Sequence, residues 1–128
     1  MKRYVFQLLV FIMAAPVVAM AQQKVANISF DETVYDFGNI KEADGNVSHT
    51  FDFVNTGSEP LIVQNVAPSC GCTTPTWTKE PVMPGEKGKI TAVFNPRNRP
   101  GHFDKYITVQ SNASQASVRL RITGKVEP

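Results

Sequence analysis

The segment Ser117–Lys125, SVRLRITGK, alternates without a break: Val118, Leu120 and Ile122 fall on one side, and Ser117, Arg119, Arg121 and Thr123 on the other. Only an extended strand, whose side chains point to opposite faces in turn, sorts such a run into an apolar face and a solvated one. The same period recurs along the chain. VSHTFDFVN sets Val47, His49, Phe51 and Phe53 against Ser48, Thr50, Asp52 and Val54. KITAVFN sets Ile90, Ala92 and Phe94 against Lys89, Thr91, Val93 and Asn95. HFDKYITVQS aligns Phe103, Ile107 and Val109, with Lys105 as the odd member. PLIVQNV is a short apolar run that aims Leu61, Val63 and Val66 at a core, and NISFD and TVYDFG form the N-terminal edge.

Turn signals separate these runs: NTGSEP, MPGEKG, NPRNRPG and SNASQAS. Pro84–Gly85 has the chemistry of a tight turn, since proline presets one backbone angle and glycine permits a positive φ. No stretch after the first twenty residues carries a helical period with caps. One flat sheet cannot bury this many one-sided strands, whereas two sheets packed face to face can. The expectation is an all-β, immunoglobulin-like β-sandwich of about seven antiparallel strands. Its core rests on Phe37, Phe51, Phe53, Phe94 and Phe103, because the widely spaced cysteine pair of antibody domains is missing.

The chain opens MKRYVFQLLVFIMAAPVVAMAQQ. Lys2 and Arg3, an apolar run from Val5 to Val18 and the small residues Ala19 and Ala21 make the three parts of a secretory signal, with cleavage expected after Ala21. The apolar run is short for a membrane span. The expected products are a signal peptide, residues 1–21, and one domain, residues 22–128, with no stable membrane anchor and a periplasmic or secreted destination. Removing Lys2 and Arg3 from thirteen basic residues leaves eleven, equal to the eleven acidic ones. A neutral domain lacks the basic face that nucleic-acid binding needs.

Both cysteines lie in VAPSCGCTTPTW, residues 66–77, as Cys70 and Cys72 around Gly71. In a fully extended chain their Cα atoms would stand about 6.5–7 Å apart, at or beyond the usual disulfide range. A turn at Gly71 shortens that distance, so a local disulfide between Cys70 and Cys72 is possible in an oxidising compartment. Such a bridge closes a very small loop and suits exchange or local pinning better than global stapling. Two thiolates at this spacing can also grip Cu(I), with His49, His102 or Met83 as the further ligand candidates. The third reading is structural: a rigid loop joining two strands, bracketed by Pro68 and Pro75, with Trp77 covering the sandwich beside it. The stretch itself offers no helix terminus and no neighbouring cation to activate a thiol. His49 reads as a partly buried structural histidine, His102 as an exposed strand start, and Met83 as packing near a turn. Asp31, Glu32 and Asp36 read as a solvated edge. No nucleophile elbow, phosphate loop or His-Glu metal motif is present, so no catalytic residues are assigned.

YDFGNI, FDFVNTGSEPLIVQNVAPSCGCTTPTW and MPGEKGKITAVFNPRNRPGHFDKYITVQSN together resemble the DUF1573 family of exported bacterial proteins. The most specific parts are the Phe-x-Phe-x-Asn-x-Gly run, the Ser-Cys-Gly-Cys-Thr run, the Pro-Gly-Glu turn and the Asn-Pro-x-x-x-x-Gly segment. The family is similar to immunoglobulin-like domains of the major sperm protein and cilium-associated type, which serve as binding modules. The resemblance implies fold and export, and no reaction. The resulting expectation is a non-enzymatic interaction module without a cofactor, whose strand edges accept a protein partner. The alternative is a thiol-redox or copper-handling protein centred on Cys70 and Cys72.

Overall fold

The computed structural model describes residues 10–16 and 24–128. The expected signal cleavage after Ala21, and the Lys2–Arg3 pair, lie outside the described residues. Residues 10–16 form no regular element. Among the described residues eight strands follow in order: β1 Ile28–Phe30, β2 Val34–Lys41, β3 Val47–Asn55, β4 Val63–Pro68, β5 Thr73–Trp77, β6 Lys87–Phe94, β7 Gly101–Ser111 and β8 Ser117–Glu127. They make two four-stranded sheets, β1-β3-β6-β5 and β2-β8-β7-β4. Among the described residues one 3-10 turn, Glu42–Asp44, interrupts them.

The β-sandwich is therefore as the alternation requires, with two differences in detail. There are eight strands rather than about seven, because TTPTW is a strand and not part of a loop. One pairing is parallel: β2 runs alongside β8, with Tyr35 opposite Ile122. The chain crosses from β1 in the first sheet to β2 at the far edge of the second, and there it meets the C-terminal strand running in the same direction. A bulge at Asp36–Asn39 shifts the register of that pair, and Gly38 within it has a φ of 69°.

The inward faces are those that the period-two pattern selects. Phe51, Phe53, Ile90, Ala92 and Phe94 of the first sheet are buried, as are Phe103, Ile107, Val109, Leu120 and Ile122 of the second. Phe94 and Phe103 stack across the interface with ring centroids 4.0 Å apart. Each such aromatic contributes roughly 1.5–3 kcal/mol on burial, and together they hold the two sheets without a long-range disulfide.

The alternation in β3 continues past the two phenylalanines to Asn55, which is fully buried. Its side chain is completely used. Oδ1 accepts from the amides of Asn27 (3.2 Å) and Gly57 (2.9 Å), and Nδ2 donates to the carbonyls of Glu59 (2.7 Å) and Val82 (2.9 Å). The Pro84–Gly85 turn docks on the same residue: the Asn55 amide donates to Glu86 O at 3.0 Å, and the Gly85 amide donates to Asn55 O at 2.8 Å. Glu86 N bonds Met83 O at 2.9 Å and Gly85 has a φ of 82°, the geometry of a type II turn. At Gly57 the N-terminal segment passes so close that a Cβ would come within 2.6 Å of the Asn27 amide nitrogen. The Phe-x-Phe-x-Asn-x-Gly run and the Pro-Gly-Glu turn thus form one latch that closes this end of the sandwich.

Candidate functional site

At the opposite end of β6 the chain changes sheets. β4 ends at Pro68 in the second sheet and β5 starts at Thr73 in the first, so only Ser69–Cys72 make the crossing. The loop is shorter than the sequence suggested, because Pro75 lies inside a strand. β5 is an edge strand, where a residue without an N–H is tolerated. Ser69 fixes one side of the corner: its amide donates to Tyr106 O at 2.8 Å, and its Oγ accepts from the Tyr106 amide at 3.0 Å. The other side is fixed by the Asn95 amide, which donates to Cys72 O at 2.9 Å. Pro96, next in the Asn-Pro segment, is fully buried.

Between these anchors Cys70–Thr73 form a turn, closed by Thr73 N on Cys70 O at 3.3 Å. It brings the two cysteine Cα atoms to 5.3 Å, and the sulfurs are joined as a disulfide. That separation is well inside the range a disulfide spans. The two sulfurs have different surroundings. Cys72 belongs to the core and is 3% exposed, with Thr73 Oγ1 3.8 Å from its sulfur. Cys70 is half-buried, and its Sγ accepts from the Cys72 amide at 3.1 Å.

The remaining metal-ligand candidates do not gather at this corner. Met83 is exposed in the Pro84–Gly85 turn, at the end of β6 remote from Cys72, about 25 Å away along a strand of this length. His102 is exposed at the start of β7, beside a shallow cavity of about 340 Å3 that Asp36, Asp104 and Lys125 also line. His49 stacks on Tyr35 of the other sheet, centroids 3.6 Å apart, meets the edge of Phe51 and bonds Glu32 through Nε2. It is a strut across the β2–β3 edge of the sandwich. Among the described residues no three His, Cys, Asp or Glu side chains converge as a metal site. Trp77 also differs from expectation: it lies at the far end of β5, opposite Ile90, with Lys79 Nζ 3.1 Å above its ring.

Tyr106 points outward from β7, and pairing with β8 puts Arg119 and Arg121 beside it. Their guanidinium carbons stand 4.9 Å and 5.8 Å from the ring centroid. Asp104 grips Arg121 with both oxygens, at 2.7 Å and 2.5 Å. The Arg121 hydrogen bond holds the Asp104 carboxyl below its ordinary range, outweighing slight desolvation, and the same contact pushes Arg121 up. Among the described residues Arg119 has no carboxylate partner. An aromatic ring with two arginines over it therefore sits on the second sheet, tied through Ser69 to the disulfide corner. The sequence carried a signal for this, the outward alternation of Arg119 and Arg121, but not the strand pairing that delivers Tyr106 to them.

The family model described as Protein of unknown function (DUF1573) matches residues 28–126. The chain belongs to that family. In this DUF1573 member the Phe-x-Phe-x-Asn-x-Gly run and the Pro-Gly-Glu turn lie in the Asn55 latch, and the Ser-Cys-Gly-Cys-Thr run lies at the Cys70–Cys72 corner. No curated protein sequence matches the chain. Among solved structures it is similar to a protein of unknown function from Porphyromonas gingivalis, at 15% identity and a TM-score of 0.69 over 86% of this chain and 51% of that one. It is also similar to the secreted serine protease VesC of Vibrio cholerae, at 12% identity and a TM-score of 0.58 over 78% of this chain and 23% of the protease. A third likeness is to a GH5 xyloglucanase of Bacteroides ovatus, at 9% identity and a TM-score of 0.52 over 79% and 19% of the two chains. The chain spans about half or less of each of these neighbours, and identities this low speak for the fold alone.

Proposed function

We propose that this DUF1573 domain is an exported, non-enzymatic protein-interaction module, periplasmic or secreted, that works without a cofactor, nucleic acid or membrane anchor. The observation that carries the reading is Tyr106 with the guanidinium groups of Arg119 and Arg121 over its ring, on the outer face of the second sheet. Tyrosine and arginine dominate the energetics of protein interfaces, because each offers large contact area with a polar handle. Here the ring is preoriented by two cations, and its backbone is pinned by Ser69, so little conformational freedom is left to lose on docking. Arg119, with no carboxylate of its own among the described residues, favours a partner segment that brings one.

The test is site-specific photo-crosslinking in the producing cell. A crosslinker replacing Tyr106 is expected to give a discrete adduct, and the adduct should disappear with Arg119→Glu. A crosslinker at Asp52, on the outer face of the first sheet, is the control. Equal adducts from both positions, or none from Tyr106, would overturn the reading.

A further inference from the structure

We infer that Cys70–Cys72 is a reversible two-electron thiol–disulfide site, entered at the Cys70 sulfur by the dithiol of an exported oxidoreductase. Three features of the corner support this, and none depends on a partner at Tyr106.

The first is access. A thiolate must reach the sulfur it attacks. Cys72 is sealed in the core at 3% exposure, while Cys70 is half-buried and its neighbour Gly71 faces solvent, with no atom within 4 Å of where a Cβ would stand. The solvent-facing side of the corner is therefore the one Cys70 shares with Gly71.

The second is independence from the fold. The bonds that anchor the corner run through Ser69 and Tyr106, and through Cys72 O and the Asn95 amide. None passes through the sulfur–sulfur bond. Reduction frees two side chains within one turn and leaves both strands paired, so the thiols stay within reach of each other for reoxidation.

The third is stabilisation of the leaving groups. In the first step the reductant thiolate bonds to Cys70 Sγ. The Cys70–Cys72 bond breaks, and Cys72 leaves with the electron pair and takes a proton from water. Thr73 Oγ1, 3.8 Å from that sulfur, is the nearest hydroxyl to steady it. In the second step the other thiolate of the reductant attacks its own sulfur in the mixed disulfide. Cys70 then leaves as thiolate, and the Cys72 amide already points at it from 3.1 Å. An N–H aimed at a sulfur favours its anionic form. Cys70 takes its proton from water in turn, so the reductant ends as a disulfide and the domain as a dithiol.

The experiment uses the domain without its signal, reduced by dithiothreitol and labelled with limiting iodoacetamide, then mapped by peptide mass spectrometry. Cys70 should carry label about tenfold faster than Cys72, as exposure dictates. Far-ultraviolet circular dichroism should be unchanged, and glutathione disulfide should restore the bond. As a second arm, Cys72→Ser should form a mixed disulfide with glutathione disulfide about tenfold faster than Cys70→Ser does. Labelling of both cysteines at one rate, or reduction only under denaturing conditions, would sink the proposal.

Discussion

The ring of Phe53 fills the space that a side chain at Gly88 would need: a Cβ there would lie 2.7 Å from Phe53 Cε2. The two residues face each other across β3 and β6. A ring in the core cannot swing aside as a surface side chain does, so Gly88→Ala overpacks the site at a cost of about 1–3 kcal/mol. Adding Phe53→Leu to Gly88→Ala should cost less than the two single losses combined. Urea denaturation checks this, and a Gly88→Ala domain as stable as the parent would show that the ring relaxes freely.

Asn55 presents a different kind of dependence. Truncation to alanine strands the Asn27 and Gly57 amides and the Glu59 and Val82 carbonyls, all bonded to it now. The Val82 bond is buried and the other three are part-buried, and a buried group left unpaired costs about 1–3 kcal/mol, against a total stability of about 5–15 kcal/mol for a domain. Asn55→Ala should therefore lose about 2–4 kcal/mol in chemical denaturation. Asn55→Asp keeps the shape but cannot donate at neutral pH, and it should rescue little. A substantial rescue by aspartate would mean that volume, rather than the two donated bonds, is what matters.

The fold was legible wherever one residue's environment depended only on its own strand. Leu120 and Ile122 point in and Arg119 and Arg121 point out because alternation alone decides it. The run Phe51, Phe53, Asn55 carried the same information, and a polar residue at an inward position was the trace of the latch. What stayed hidden needed long-range pairing. β5 was masked by Pro75, which is acceptable only because that strand is an edge. The parallel β2–β8 pair depends on where the chain crosses between sheets. Gly88 reads as part of a turn until its position opposite Phe53 is known. At the cysteine corner the spacing allowed a disulfide, but the cations flanking Tyr106 come from a strand thirteen and fifteen residues further on, and no local motif marks them.

Asp104 sets a pH dependence with a definite sign. Its carboxyl is held below the ordinary value of 3.8, first by the hydrogen bond from Arg121. A depressed folded value means that the pair favours the folded state above that pH, and that this support is lost as pH falls through the lower folded value. Carboxyl nuclear magnetic resonance should find Asp104 titrating below a normal aspartate, returning to the normal range in Arg121→Gln. Because both groups are solvent-exposed, salt at 1 M should shrink the difference by screening. A normal titration in the parent domain would dissolve the pair.

The two cysteines should differ in what their replacement costs. The bridge closes a loop of three residues, which in the chain-entropy account is worth only about 1–2 kcal/mol. Cys70→Ser removes the bridge and little else, so it should match the reduced parent protein. Cys72→Ser also sets a hydroxyl where the core now holds sulfur at 3% exposure, and it should lose about 1 kcal/mol more. Thermal unfolding with and without dithiothreitol resolves the terms: reductant should lower the midpoint of the parent and leave both serine variants unmoved. If Cys70→Ser proved the costlier change, the half-buried sulfur would be the packed one, and the order of attack assigned to the pair would have to be reversed.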